Sequence, residues 1–141
     1  MKYKIRGDKA LIKRLKNVSI KGNEQVKASV VRNTEQIYEQ ALANAPIDTG
    51  DLKRSGIKSF ADNMLTGNVA FGGSLAPYAP YVEFGTGSNV SIPSGLEDFA
   101  RQFYVNGEGR MKAQPFLFPA YFKYRKQFQA DIRKIFKGLT K

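Results

Sequence analysis

The densest pattern in this chain is YAPYVEFGTG, at residues 78–87. Two tyrosines, a valine and a phenylalanine surround one carboxylate, Glu83, and a Gly-x-Gly turn follows directly. Prolines at positions 77 and 80 suit the first turn of a helix, where the N–H that proline lacks has no partner within the helix. We therefore expect a short helix over residues 76–84 that packs into the core and ends in a turn.

Apolar periodicity predicts two helices before this stretch. The first covers residues 8–18, with Asp8 as its N-cap, and a glycine-containing break follows at residues 19–23. The second and longest helix covers residues 23–45. It ends there because Pro46 disfavours the α conformation in the residue before it.

The remaining elements complete an α+β fold. Residues 56–61 and 65–72 predict an antiparallel hairpin, because a turn signal separates two strand-like runs. The glycine-rich tract 88–113 is predicted to be a mobile arm with a short amphipathic helix near its middle. Residues 116–139 carry the apolar stripe of a closing helix. We predict a single domain over residues 1–141, with N-terminal helices, a small antiparallel hairpin and a long C-terminal helix.

Composition excludes several classes of function. The chain has 141 residues and 42% hydrophobic content, which is typical of a folded globular protein. It has no apolar run of membrane-spanning length and no signal-peptide pattern, so we expect no membrane association. It also has no cysteine and no histidine. Disulfides, thiolate chemistry and catalysis of the Ser-His-Asp or Cys-His kind are therefore excluded.

The net charge of +11 is concentrated at the two ends of the chain. Residues 1–27 hold nine Lys and Arg against two acids, and residues 121–141 hold seven against one. Residues 28–120 hold seven against nine. Basic ends favour a polyanionic neighbour, such as nucleic acid or an acidic protein surface. Ordinary solvated helix faces would produce the same pattern.

The triplet Asp48-Thr49-Gly50 is the one sequence that resembles a catalytic motif. In retroviral-type aspartic proteases an Asp-Thr-Gly supplies the catalytic carboxylate, and a homodimer supplies the pair. That motif should follow an apolar strand, whereas here it follows a long predicted helix and Pro46. We therefore interpret residues 48–50 as a structural turn, with Gly50 at positive φ.

Glu83 has three interpretations. A carboxylate among aromatic side chains can be a proton donor or acceptor if burial raises its pKa. We favour a structural role instead: Glu83 either accepts N–H groups of the turn that follows it, or pairs with Arg or Lys across an interface. The turn at Gly85–Gly87 is not a phosphate loop, because no Gly-Lys-Ser/Thr follows it. No metal motif or cofactor motif is present in the sequence.

Three segments in order carry a family resemblance. They are APIDTGDLKRS at residues 45–55, YAPYVEFGTG at residues 78–87 and QPFLFPA at residues 114–120. Together they resemble the head-tail joining (neck or tail-completion) proteins of tailed bacteriophages, the family named after the tenth gene product of a lambda-like siphophage. Length and element order agree along nearly the whole chain, whereas residues 88–113 have no residue-by-residue match.

This resemblance implies a non-enzymatic α+β subunit of a ring at the neck or tail end of a virion. It does not specify the copy number, although six or twelve copies would suit a phage neck. Such a ring joins the DNA-filled head to the tail, contacts the neighbouring connector, stopper and tail proteins, and lets DNA pass through its lumen. It implies a place in the virion after assembly in the host cytoplasm, with no small-molecule substrate. The other function that we consider is a stand-alone basic nucleic-acid-binding module, because both chain ends are basic.

The resemblance and the patterns together select the candidate functional residues. In a ring, Arg110 and Lys112 could point into the central channel and contact DNA, whereas the interpretation that we favour for them is a solvated loop. The expected subunit-interface residues or fold anchors are Tyr78, Tyr81, Glu83, Phe84, Gly85, Thr86, Gly87, Pro115 and Phe116.

Overall fold

A computed structural model of the protein describes residues 9–102 and 109–140. It confirms the predicted α+β class. In chain order the elements are α1 Lys9–Asn44, α2 Asp51–Arg54, β1 Ile57–Ala61, β2 Thr66–Ala70, α3 Ala79–Phe84, a 3-10 turn Gly87–Asn89, α4 Glu97–Arg101 and α5 Leu117–Leu139.

The first helix is continuous, so the predicted break at residues 19–23 is wrong. α1 runs for 36 residues and includes Gly22. Gly22 is buried, and a Cβ atom there would lie 2.6 Å from Cδ1 of Leu139 at the end of α5. A glycine costs a helix about 1 kcal/mol, which packing against a second helix can outweigh. The predicted N-cap, Asp8, lies outside the described residues.

α1 and α5 pack side by side and run antiparallel. The hydrogen bonds between the two helices show this direction, because the residue numbers of the partners rise along α1 as they fall along α5. These hydrogen bonds are Ser29 Oγ to Asp131 at 3.4 Å, Gln127 Nε2 to Gln36 at 3.1 Å, Lys123 Nζ to Gln40 at 3.2 Å and Asn44 Nδ2 to the carbonyl of Phe116 at 3.2 Å.

α1 also extends beyond its partner helix. Because Gly22 lies against the last residue of α5, residues 9–21 continue past it for about 20 Å at 1.5 Å per residue. Val18 and Ile20 in this extension are exposed. We call residues 9–21 the α1 extension.

The predicted hairpin is confirmed. β1 and β2 pair antiparallel, from Ile57 opposite Ala70 to Ala61 opposite Thr66. One face lies on α1, where Lys58 forms an ion pair with Glu35. On the other face Ile57 is 63% exposed.

A small core forms where α2, α3 and the start of α5 meet the end of α1. Its members are Ala41, Ala45, Leu52, Ala76, Ala79, Val82, Phe116 and Ala120. Most are alanines, so the backbones approach closely. The Phe116 ring is the largest side chain that is fully buried among the described residues, and it meets Phe71 edge-on with centroids 5.2 Å apart. α3 therefore packs into the core, as its sequence predicted.

Candidate assembly site

Glu83 joins α3 to the beginning of α5. Its side chain is 4% exposed, and its carboxylate accepts three backbone N–H groups. Phe116 and Leu117 donate to Oε2 at 2.8 and 2.9 Å, and Phe118 donates to Oε1 at 3.0 Å. The first N–H groups of a helix have no partner within it, and the helix dipole favours a negative charge there.

This arrangement corrects the sequence interpretation of Glu83. We predicted that it would accept N–H groups of the turn that follows it or pair with Arg or Lys across an interface, but its partners within the chain are N–H groups more than 30 residues further along. α5 has no capping hydrogen bond from its own N-cap side chain, Phe116. The Glu83 carboxylate supplies that cap from another helix. Its oxygens accept hydrogen bonds that hold α3 to the start of α5, which is a structural role.

The turn after α3 is tied to the segment before α5. Thr86 N–H donates to the Met111 carbonyl at 2.9 Å, and Met111 N–H donates to Thr86 Oγ1 at 2.8 Å. Asn89 Nδ2 donates to the Arg110 carbonyl at 2.9 Å. The two described ends of the predicted arm therefore lie beside each other. Residues 103–108 lie outside the described residues, and the mobility of the arm stays a prediction.

Gly85 allows this close approach. Its φ is 78° and its ψ is −176°, a region that is essentially restricted to glycine. A Cβ atom would lie 2.4 Å from the carbonyl oxygen of Asn89 and 2.9 Å from the nitrogen of Ala113. Both obstacles are backbone atoms that cannot rotate away. The glycine is thus required for the turn to meet the segment before α5.

A surface cluster of aromatic rings lies beside this junction. Phe84 is its buried base, and Phe99 on α4 is 44% exposed. The ring centroids of Phe99 and Phe118 are 5.5 Å apart, as are those of Tyr121 and Phe122. We call these five residues the aromatic cluster. Phe84, Phe99 and Phe118 line a groove of about 420 Å³, together with Pro77 and Pro80 among others.

Sequence reasoning identified only Phe84 in the aromatic cluster. Phe99 lies in the tract that we predicted to be a mobile arm. Phe118, Tyr121 and Phe122 were assigned to the apolar stripe of the closing helix. Their spacing along the helix is the same whether they form a buried core face or a surface cluster. The sequence alone therefore did not distinguish these two arrangements.

The other candidate residues divide between core and surface. Phe116 is 2% exposed and anchors the fold. Tyr78 and Pro115 are exposed, and Tyr81, Thr86 and Gly87 are half-buried. Arg110 and Lys112 are both exposed.

The Asp-Thr-Gly triplet forms the turn that begins α2. Gly50 has a φ of 83°, as expected, and is the N-cap of α2. Thr49 Oγ1 donates to Asp51 Oδ2 at 2.7 Å. This hydrogen bond, followed by one from Arg54, lowers the pKa of Asp51 below its usual range. Asp48 is exposed and belongs to this surface turn.

A polar network between α1 and α5 was not anticipated from the sequence. Asp131 accepts hydrogen bonds from Arg32 at 2.7 Å, Asn33 at 3.1 Å and Ser29 at 3.4 Å. Partial burial raises the pKa of Asp131, but the hydrogen bonds from Asn33 and Arg32 outweigh this effect and hold it below its usual range. The network orients α5 on α1, because the same carboxylate meets three side chains of α1.

A sequence model of one protein family matches residues 9–85, and the family is described as "Bacteriophage HK97-gp10, putative tail-component". The chain belongs to this family. The match begins in the α1 extension and ends at Gly85, so it contains the first segment of the resemblance and most of the second. Comparisons with curated proteins and with solved structures each found no match.

Two further findings concern membrane-spanning helices and metal sites. Over residues 9–102 and 109–140, no helix is long and apolar enough to cross a membrane. Within the same ranges, no group of three or more acidic side chains is placed to hold a metal ion.

Proposed function

We propose that this HK97-gp10-like protein is a non-enzymatic ring subunit at the head–tail interface of a phage virion. The ring, of six or twelve copies assembled in the host cytoplasm, joins connector or stopper proteins to tail proteins and lines the DNA passage. Membership of a family of phage tail components supports the setting. The buried Glu83 carboxylate caps α5, and this supports a structural role for the protein.

The observation that carries the proposal is the match of residues 9–85 to a family of phage tail components. A tail component works within an assembly, and each subunit of a ring has two interfaces, one with each neighbour. The described residues expose large apolar side chains on several elements, among them Ile20 on α1, Ile57 on β1 and Phe136 on α5. Burial of such side chains in subunit interfaces would favour association.

Oligomerisation is the direct test. We expect the purified full-length protein to form closed oligomers, alone or with its neighbouring neck and tail proteins, as measured by light scattering and electron microscopy. A protein that stays monomeric over the accessible concentration range and in the presence of those neighbours contradicts the proposal.

The outer face of α5 supports the proposed contact with DNA. Lys123, Lys126, Arg133, Lys134 and Lys137 are all exposed. They fall within an arc of about 100°, since successive helix residues are about 100° apart. The helix has one acid, Asp131, and it faces α1. We call these five residues the basic stripe.

The cations of the basic stripe are available for phosphates. Among the described residues none of the five forms an ion pair, and Lys123 contacts only the neutral Gln40 amide and the Tyr124 ring. Small residues, Ala130 and Gly138, leave a depression of about 500 Å³ between Arg133, Lys134 and Lys137. The stripe spans about 21 Å, a length over which duplex DNA carries about 12 negative charges. Lys and Arg contacts to phosphate carry no sequence information, which suits DNA in transit.

A salt titration tests this contact and compares it with the candidate contacts at Arg110 and Lys112. Binding of the full-length protein to a 30-base-pair duplex is followed by fluorescence anisotropy at increasing salt. The double variant Lys126→Gln/Lys137→Gln should lower the slope of log Kobs against log salt by about 1.8 per bound copy, at 0.9 per lost contact. The matched control Arg110→Gln/Lys112→Gln removes the same charge. Equal or larger loss in the control would assign the DNA contact to the segment 109–113 instead.

A further inference from the structure

The loop between α1 and α2 presents two side chains that its own fold does not use. Ala45 and Leu52 are buried in the core, and Gly50 makes the turn. Ile47, however, is 73% exposed, more than any other large apolar side chain that the structure describes. Asp48 beside it is exposed as well, and forms no ion pair with the described residues. We call Ile47 and Asp48 the loop tip.

A cleft of about 430 Å³ lies between the hairpin and α5. Its apolar lining includes Val30 and Ile37 of α1, Leu65 next to β2 and Phe128 of α5. Leu65 is 45% exposed, so part of this apolar lining faces water. Pockets that bind ligands in proteins have volumes of about 300–1,000 Å³. We call this feature the hairpin cleft, and its size and lining suit an aliphatic side chain from outside the molecule.

The charge of the hairpin cleft is opposite to that of the loop tip. Of the described residues that line the cleft, only Arg125 on α5 is charged. It is exposed and forms no ion pair within the part of the chain that the structure describes. Guanidinium and carboxylate groups form strong, directional hydrogen bonds. An isoleucine followed by a free aspartate therefore matches an apolar cleft that carries a free arginine.

Within one copy the loop tip does not fill its own hairpin cleft. The loop follows Asn44, whereas the cleft is lined by α1 residues between positions 30 and 37. At 1.5 Å per residue, the two features are separated by at least about 10 Å along α1. Burial of Ala45 and Leu52 holds the two ends of the loop in place. The tip and the cleft are thus both left open to a second copy.

We propose that the loop tip of one copy inserts into the hairpin cleft of the next copy in the ring. Ile47 occupies the apolar part of the cleft, and the Asp48 carboxylate pairs with Arg125. The inference rests on the proposed function, because it assigns an anchoring contact between ring subunits. The contact is heterologous, since the tip and the cleft are different patches and each copy donates one and receives one.

Exchanging the two charges tests the ion pair. Asp48→Arg and Arg125→Asp each place like charges against one another, so each variant should need an at least about tenfold higher concentration to form closed oligomers. The double variant Asp48→Arg/Arg125→Asp restores opposite charges and should assemble within about threefold of the unaltered protein. Light scattering over a dilution series measures this. Both altered side chains are exposed, so the melting temperatures should stay within a few degrees.

The apolar half of the contact is tested separately. Ile47→Ser should also raise the concentration needed for assembly by about tenfold, because it removes the side chain that fills the cleft. Leu75→Ser is the matched control, since Leu75 is 47% exposed and does not line the cleft. Asp98→Arg is the control for charge, at an exposed carboxylate outside both features. Both controls should assemble as the unaltered protein does.

Three results would overturn the inference. They are normal assembly of Asp48→Arg or Ile47→Ser, a double variant as impaired as its single variants, and a loss in Asp98→Arg equal to that in Asp48→Arg. In each case, closed oligomers of the unaltered protein would leave the proposed function standing. If the unaltered protein never assembles, even with its neck and tail neighbours, the proposed function fails and this contact fails with it.

Discussion

The Oε2 atom of Glu83 on α3 accepts the backbone N–H of Phe116, at the start of α5, at a distance of 2.8 Å. This contact joins the second and third segments of the family resemblance, which are separated in sequence by the tract 88–113. It also sets the direction in which α5 leaves the core. Three rings of the aromatic cluster and the whole basic stripe are carried by α5, so their positions depend on this carboxylate.

Replacing the Glu83 carboxylate should destabilise the fold. Glu83→Gln keeps the shape but places an amide NH₂ against N–H donors, so we expect the free energy of unfolding to fall by about 2 kcal/mol. Urea denaturation followed by circular dichroism measures this. Glu97→Gln is the control, because Glu97 is exposed and accepts one N–H; it should cost less than about 0.5 kcal/mol. Equal losses in both variants would show that the cap contributes no more than a surface contact.

Gly85→Ala should be much more costly than Gly95→Ala. Both glycines have positive φ, at 78° and 88°, so alanine is strained at either position. At Gly85 the added Cβ would also meet backbone atoms, whereas at Gly95 nothing lies within 4 Å. We expect losses of about 3 kcal/mol or more at Gly85 and about 1 kcal/mol at Gly95. Thermal unfolding of both variants checks the order, and similar melting temperatures would contradict the crowding around Gly85.

The two phenylalanines Phe116 and Phe99 should affect different properties. Phe116→Ala leaves a cavity in the core and should lower the free energy of unfolding by about 3–5 kcal/mol. Phe99→Ala removes a ring that is 44% exposed and contacts Phe84 and Phe118, so it should cost less, about 1–2 kcal/mol. Chemical denaturation at a concentration where the protein is monomeric separates them. A larger loss for Phe99 would mean that the aromatic cluster belongs to the core of the monomer.

Asp131 should make stability depend on pH in the acid range. Its pKa in the folded protein is below the value of about 3.9 expected in the unfolded chain. A carboxyl group with a lowered pKa stabilises the fold fully above the unfolded value, and this contribution is lost as the pH falls through the folded value.

Asp131→Asn should therefore cost about 1–2 kcal/mol at pH 7, because it removes charged hydrogen bonds to Arg32 and Asn33. The difference from the unaltered protein should shrink below about pH 4. Denaturation curves between pH 2 and 7 measure this. Asp98→Asn, at an exposed carboxylate, should give a difference near zero throughout. A cost for Asp131→Asn that does not change with pH would contradict the assigned role of the charge.

Local patterns predicted the elements well and their partners poorly. Helix periodicity and Pro46 located the end of α1, and the turn residues located the hairpin. The break at Gly22 was wrong because a glycine within a helical pattern marks either a break or a close helix contact, and only Leu139 shows which it is. The hydrogen-bond partners that we predicted for Glu83 were wrong for a similar reason. A buried carboxylate accepts hydrogen bonds from whichever donors the fold brings near it.

The amino-acid sequence was sufficient to predict the α+β class and the order of the elements, to show the concentration of positive charge at both ends, and to reveal the three segments of the resemblance, of which the family match covers the first and most of the second. These properties depend on side-chain type and on spacing along the chain. Three further features became evident only in three dimensions: Glu83 caps α5, Asp131 links α5 to α1, and five aromatic rings from α3, α4 and α5 form a surface cluster. These contacts join residues that are distant in sequence, and their energies depend on distance and burial, which local periodicity does not encode.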